Sequence, residues 1–237
     1  MSRFLFLIAS MLCVALGATS PAAAQGVFNP GTLTVSLGMD VNTQAEERRA
    51  RTGRFDEPAP RHAARVNLTY RPDAARRHKN FARFVAKASQ IDPADGAQVK
   101  QMITGQDVIG KLQAAIRPYG MSINNVADAA AVYLAFAWLA TRAEDRDPTR
   151  AEMTGLRTQM AAAMAASPAF ATASDAVKQE MAEGNLVQGL IVGKFGAMAK
   201  KNPALRPKVR ALVAQGAKSA YGFDLLSLSL TAHGLRQ

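Results

Sequence analysis

Apolar positions recur along most of this chain with a helical period, and they predict an all-α domain of about six or seven helices between Asp73 and Ala220. Arg71, before Pro72, is biased to extended backbone, and Asp73 is placed to cap a first helix reaching about Gln90. Its Phe81, Phe84, Val85 and Ala88 share one face, with Arg76, Lys79, Arg83 and Lys87 largely outside it. Asp92-Pro93 starts a short helix that Gly105 breaks after Thr104. Val108, Ile109, Leu112, Ile116 and Tyr119 stripe a third, which Pro118 and Gly120 end.

The segment from Asn125 to Thr141 is apolar or small nearly all round, apart from Asp128, and such a helix is buried on every side. It is short for a bilayer and runs straight into Arg142, Glu144, Asp145 and Arg146, so it predicts a core helix and no transmembrane span. Asp147-Pro148 is expected to cap the next helix, striped by Met153, Leu156, Met160, Ala163 and Met164. Ser167-Pro168 and Ser174-Asp175 punctuate the chain before a long helix from about Ala176 to Lys200. Gly184, Gly189, Gly193 and Gly196 fall inside that helix, each costing up to ~1 kcal/mol against alanine, which calls for close approach to a neighbour or a bend. Pro207 starts a last amphipathic helix that Tyr221-Gly222 stops, and Phe223 to Leu230 should pack back as an extended or short helical tail. Phe84, Leu112, Val132, Phe136, Trp138, Leu156, Ile191 and Leu212 are the expected core of a compact bundle.

Ahead of this domain the pattern changes. Arg3, an apolar run from Phe4 to Leu16, and Ala22-Ala23-Ala24 before Gln25 have the layout of a secretory signal peptide over residues 1–24. They predict an exported chain, periplasmic or secreted, cleaved near Ala24. Residues 25–67 read as a flexible basic arm: Arg48, Arg49, Arg51, Arg54, Arg61 and Arg65 accompany Pro58 and Pro60, too little apolar surface to offset ordering. Within the arm only Thr32 to Leu37 alternates like a strand, with no second strand to pair with. Cys13 is the only cysteine and would leave with the signal peptide, so a mature chain would have no disulfide, thiolate site or cysteine nucleophile. The formal net charge of +11 favours polyanions by long-range attraction.

From Leu68 onward the chain resembles a family of exported bacterial proteins known only as a domain of unknown function. The resemblance rests on Tyr70-Arg71-Pro72, Asp107-Val108-Ile109, Asn124-Asn125-Val126-Ala127-Asp128 running into Trp138, Lys178-Gln179-Glu180, Gln215-Gly216-Ala217 and Phe223-Asp224-Leu225. It implies export and a helical domain over residues 68–237, and brings no assigned activity or cofactor.

Candidate chemistry is sparse. His62, His78 and His233 lack metal-site spacing, and Met153, Met160 and Met164, one face of a helix, read as core filling in preference to a copper(I) site. Glu180 and Glu183 share a helix face as acid–base catalysis would require, although Lys178 and Gln179 beside them describe a solvated helix start. Asp128, three residues after Asn125, fits a capping box better than a catalytic carboxylate. No phosphate loop, nucleophile elbow or calcium loop is present, and no cofactor is expected. The strongest partner signal is one of charge. Between Gly184 and Phe223 there is no Asp or Glu, while Lys194, Lys200, Lys201, Arg206, Lys208, Arg210 and Lys218 form a candidate polyanion-binding set. Without interleaved aromatics this predicts no specific nucleic-acid recognition, and points to anionic envelope polymers or lipid headgroups. Two classes stay open: a non-catalytic envelope interaction protein, which the charge pattern favours, and an envelope hydrolase or lyase acting through Asp128 or Glu180.

Overall fold

The computed structural model describes residues 66–104, 107–144 and 146–237. The expected signal peptide and the strand-like stretch at 32–37 lie outside the described residues, as does nearly all of the basic arm. Seven helices of nine residues or more, one single helical turn and a small hairpin make up the domain. Asp73 accepts from the Arg76 amide at 2.7 Å and starts α1 (Ala74–Ile91). Asp92 does the same for the Ala94 amide at 2.7 Å, ahead of α2 (Pro93–Thr104). Next, α3 (Val108–Ile116) tightens into a 3-10 turn, Arg117–Tyr119, closed by Gly120 at φ 73. Then come α4 (Val126–Arg142), α5 (Arg150–Ala165), the single turn α6 (Pro168–Ala171), α7 (Asp175–Lys201), a 3-10 turn at Pro203–Leu205, and α8 (Arg206–Tyr221).

The centre is α4 against α7, as the all-round apolar character of α4 requires: every residue from Val126 to Thr141 is buried. The four glycines do not break α7, which runs 27 residues without interruption. Two of them explain why. A Cβ on Gly189 would sit 3.5 Å from the Tyr133 Cα, and one on Gly196 3.4 Å from the Ala140 Cβ, so glycines two turns apart lay the α7 backbone onto α4. Flanking α4 are α5 and α8, while α1 lies on α7 and α2 chiefly on α1. Seven of the eight expected core residues join one buried cluster. Leu212 does not: α8 turns Val209, Val213, Gly216, Ala217 and Ala220 inward and leaves Leu212 half-buried.

Two local expectations need correction. The cap of α5 is Thr149, because its hydroxyl receives the Glu152 amide at 3.1 Å while the Glu152 carboxylate accepts from the Thr149 N–H at 2.6 Å, leaving Asp147-Pro148 before the helix. The C-terminal tail goes on beyond Leu230 into an antiparallel hairpin, β1 (Ser229–Thr231) and β2 (Gly234–Arg236), with Leu230 opposite Leu235. Strands of three residues are too short to show alternation.

That hairpin is fastened to the bundle through side chains. The Trp138 indole N–H donates to the Leu228 carbonyl at 2.8 Å, and Arg142 Nη2 reaches the carbonyls of Leu225, Leu226 and Leu228 at 3.2, 3.2 and 2.9 Å. Gln159 clasps Leu235 from both sides, donating to its carbonyl at 3.2 Å and accepting its amide at 2.8 Å. Gly155 lets the hairpin backbone rest on α5, since any Cβ there would collide with the Ala232 carbonyl and the Gly234 amide.

Candidate functional site

The basic set divides by burial. Lys201, Arg206, Lys208, Arg210 and Lys218 are exposed along the end of α7 and the length of α8. The local sequence produces that exposure. Lysines in the last turn of α7 meet its negative dipole end. Asn202 then ends the helix and accepts the Ala204 amide at 3.2 Å, turning the chain into α8. Because α8 buries its small and branched residues, Lys208, Gln215 and Lys218 are left in solvent. The other two cations sit differently. Lys200 is half-buried and lines a shallow recess with Glu144 between α4 and α7. Lys194 is half-buried and donates to Gln98 of α2 at 2.9 Å; burial pulls its ammonium below the usual lysine range, and Asp95 acts against that pull.

Asp128 is fully buried, and Asn125 caps α4 as expected by accepting the Ala127 and Asp128 amides at 2.9 and 3.2 Å. The carboxylate, however, reaches back past the cap to accept the Ser122 amide at 2.8 Å, so a capping box is only half formed. Arg157 of α5 brings its Nε to 2.8 Å from the other oxygen without aiming its N–H at it, an ionic contact more than a hydrogen bond. Burial pushes the Asp128 carboxyl up, while the Ser122 N–H and Arg157 hold it down. These contacts tie the α3–α4 connection to α5.

Glu180 and Glu183 are not brought together as an acid–base pair. Glu180 is half-buried and pairs with Arg83 at 3.0 Å. Glu183 is buried and accepts from Arg77 Nε at 2.8 Å, Asn80 Nδ2 at 2.7 Å and Gln179 Nε2 at 2.8 Å. The solvated helix start expected here is in fact covered: Lys178 and Gln179 are buried as well, because α1 crosses this end of α7. Gln179 also accepts the Asp73 amide at 3.0 Å and donates to its carbonyl at 2.8 Å, so α1 is pinned at its cap and two turns along.

Met153, Met160 and Met164 are buried in the core cluster. His78 is exposed on α1 and His233 in the hairpin turn; among the described residues no three His, Cys, Asp or Glu side chains gather as a metal set. An open groove between α5 and the hairpin holds about 300 Å³, with Thr154, Thr158, His233 and Arg236 among its walls. Sequence reading missed this groove, whose second wall is the unforeseen hairpin. It also missed Asp95, which is fully buried with neither carboxylate oxygen hydrogen-bonded. The only signal for Asp95 was its position three residues after Asp92, which equally describes an exposed acid in a first helical turn.

The described residues therefore define an all-α domain in which Asp128 and Glu183 are buried beside cationic partners, Asp95 is buried without a hydrogen bond, and Lys201, Arg206, Lys208, Arg210 and Lys218 are exposed. The chain belongs to DUF6683, a family of unknown function, whose family model matches residues 2–237. No curated protein and no solved structure matches the chain.

Proposed function

We propose that this protein is exported and works as a non-catalytic cell-envelope interaction protein, holding anionic polymers or lipid headgroups on the face formed by the end of α7 and α8. The observation that carries the reading is the exposure of Lys201, Arg206, Lys208, Arg210 and Lys218 on elements that have no acidic residue from Gly184 to Phe223. Export is supported by the tripartite start of the chain, from Arg3 to Ala24. Among the described residues no helix is long and apolar enough to cross a membrane. Asp128 and Glu180, the acids an envelope hydrolase would draw on, are engaged by Arg157 and by Arg83, which supports the binding reading over catalysis.

The reading is tested on chain recovered from the cell envelope, whose intact mass should correspond to a start at Gln25. Its binding to vesicles with an anionic lipid fraction is compared with binding to neutral vesicles as salt is raised. Exposed charges are screened beyond about 8 Å at physiological ionic strength and about 3 Å at 1 M. Binding confined to the anionic vesicles and lost by about 1 M salt is the expected result; equal binding to both surfaces contradicts it.

A further inference from the structure

An aspartate in the first turn of a helix ordinarily faces water, where the helix dipole favours its charge. Asp95 of α2 is covered instead, at 0% exposure, and both of its carboxylate oxygens lack hydrogen-bond partners. The corner between α1 and α2 is shut tightly beside it: a Cβ on Gly96 would collide with the Ser89 hydroxyl of α1. From α7, Lys194 reaches this corner and donates to Gln98, three residues along α2 from Asp95. Asp92 lies at the start of the same helix; of the other elements packed on α2, α1 carries Lys87, drawn toward Glu180, and α3 carries the half-buried Lys111. A charged carboxylate that is buried without hydrogen bonds is strongly disfavoured against its neutral form. Since α2 packs chiefly on α1, with a lesser contact to α3, it has a way to relieve that charge by swinging out while α4 and α7 stay joined.

We propose that α2 is a proton-operated clasp, closed over α1 when Asp95 carries a proton and released when Asp95 ionises, uncovering Val99 and Ile103. Closure itself raises the proton affinity: burial pushes the Asp95 carboxyl above its usual range and Asp92 adds to this, while Lys194 opposes it. In the released helix Asp95 titrates as an ordinary aspartate, near about 4. The closed state therefore binds the proton more tightly. Closure is strongest at low pH, weakens as pH rises through the closed-state value, and changes no further above it.

The test is amide hydrogen exchange of α2 and α4 in the wild type and in Asp95→Asn between about pH 4 and pH 7, corrected for the intrinsic chemical rate. A shift of one unit in proton affinity corresponds to roughly tenfold in the opening equilibrium. Opening of α2 is expected to increase with pH in the wild type while α4 stays constant, and to be flat in Asp95→Asn. A flat wild-type profile, a rise shared by α4, or the same rise in Asp95→Asn overturns the clasp. Should Asp95→Asn not fold, the wild-type contrast between α2 and α4 still decides.

Discussion

Replacing Trp138 by alanine is expected to destabilise the domain by ~4 kcal/mol, within the range for deleting a buried aromatic side chain. Trp138 is only 7% exposed and belongs to the core cluster. Its loss does more than leave a cavity. The indole N–H holds the Leu228 carbonyl, and the ring is the surface on which Arg142 and Arg146 lie, their guanidinium carbons 5.4 and 5.6 Å from its centroid. With Arg142 no longer supported, the carbonyls of Leu225, Leu226 and Leu228 lose their donor, and residues 229–236 should exchange amide hydrogens faster than α4. Denaturant unfolding of Trp138→Ala and Trp138→Phe separates the contributions. The phenylalanine variant keeps most of the ring and gives up one hydrogen bond, typically about 1 kcal/mol, plus some packing. Equal losses in the two variants would show that the ring itself contributes little.

The second large effect is expected at Glu183. Its carboxylate gathers Arg77, Asn80 and Gln179 in a buried corner, and removing one partner of such a cluster leaves donors unpaired at a cost of about 3 to 5 kcal/mol. Glu183→Ala should therefore loosen α1 from α7, seen as a lowered unfolding midpoint and faster exchange in α1 ahead of α4. Glu180→Ala, three residues away on an exposed ion pair, should cost at most about 1 kcal/mol. If the two variants behave alike, the buried cluster does not anchor α1.

Sequence pattern carried most of the helical frame because each boundary is written in local chemistry. Asp73, Asn125 and Ser174 cap helices with their own side chains, Gly120 and Gly222 adopt the left-handed backbone that ends them, and the stretch at Val126–Thr141, apolar or small nearly throughout apart from Asp128, has one stable environment, the centre. Where two caps compete in one short run, as at Asp147-Pro148-Thr149, the winner depends on whether Glu152 can reach back, which only the folded geometry shows. Burial of polar residues was the least legible feature. Nothing local distinguishes Lys178, Gln179 and Glu183 from an exposed helical turn, because it is a helix a hundred residues earlier in the chain that covers them. The same holds for Asp95, and for Lys194, which belongs to the basic run by sequence and to the α2–α7 contact by position. The exposed basic face was more legible, since α8 has an apolar stripe that decides which of its cations remain outside.

The most direct measurement of the central claim, that the end of α7 and α8 hold anionic partners, is vesicle binding by a variant with Lys201, Lys208, Arg210 and Lys218 all changed to glutamate. Each basic residue near an anionic bilayer contributes about 1 kcal/mol, so removing four attractions lowers affinity by on the order of a thousandfold before any repulsion is added. All four are exposed, and their replacement should leave the helical spectrum and unfolding midpoint close to those of the wild type. The account predicts that this folded variant binds anionic vesicles no better than neutral ones. A folded variant that still binds anionic vesicles as tightly as the wild type would contradict it.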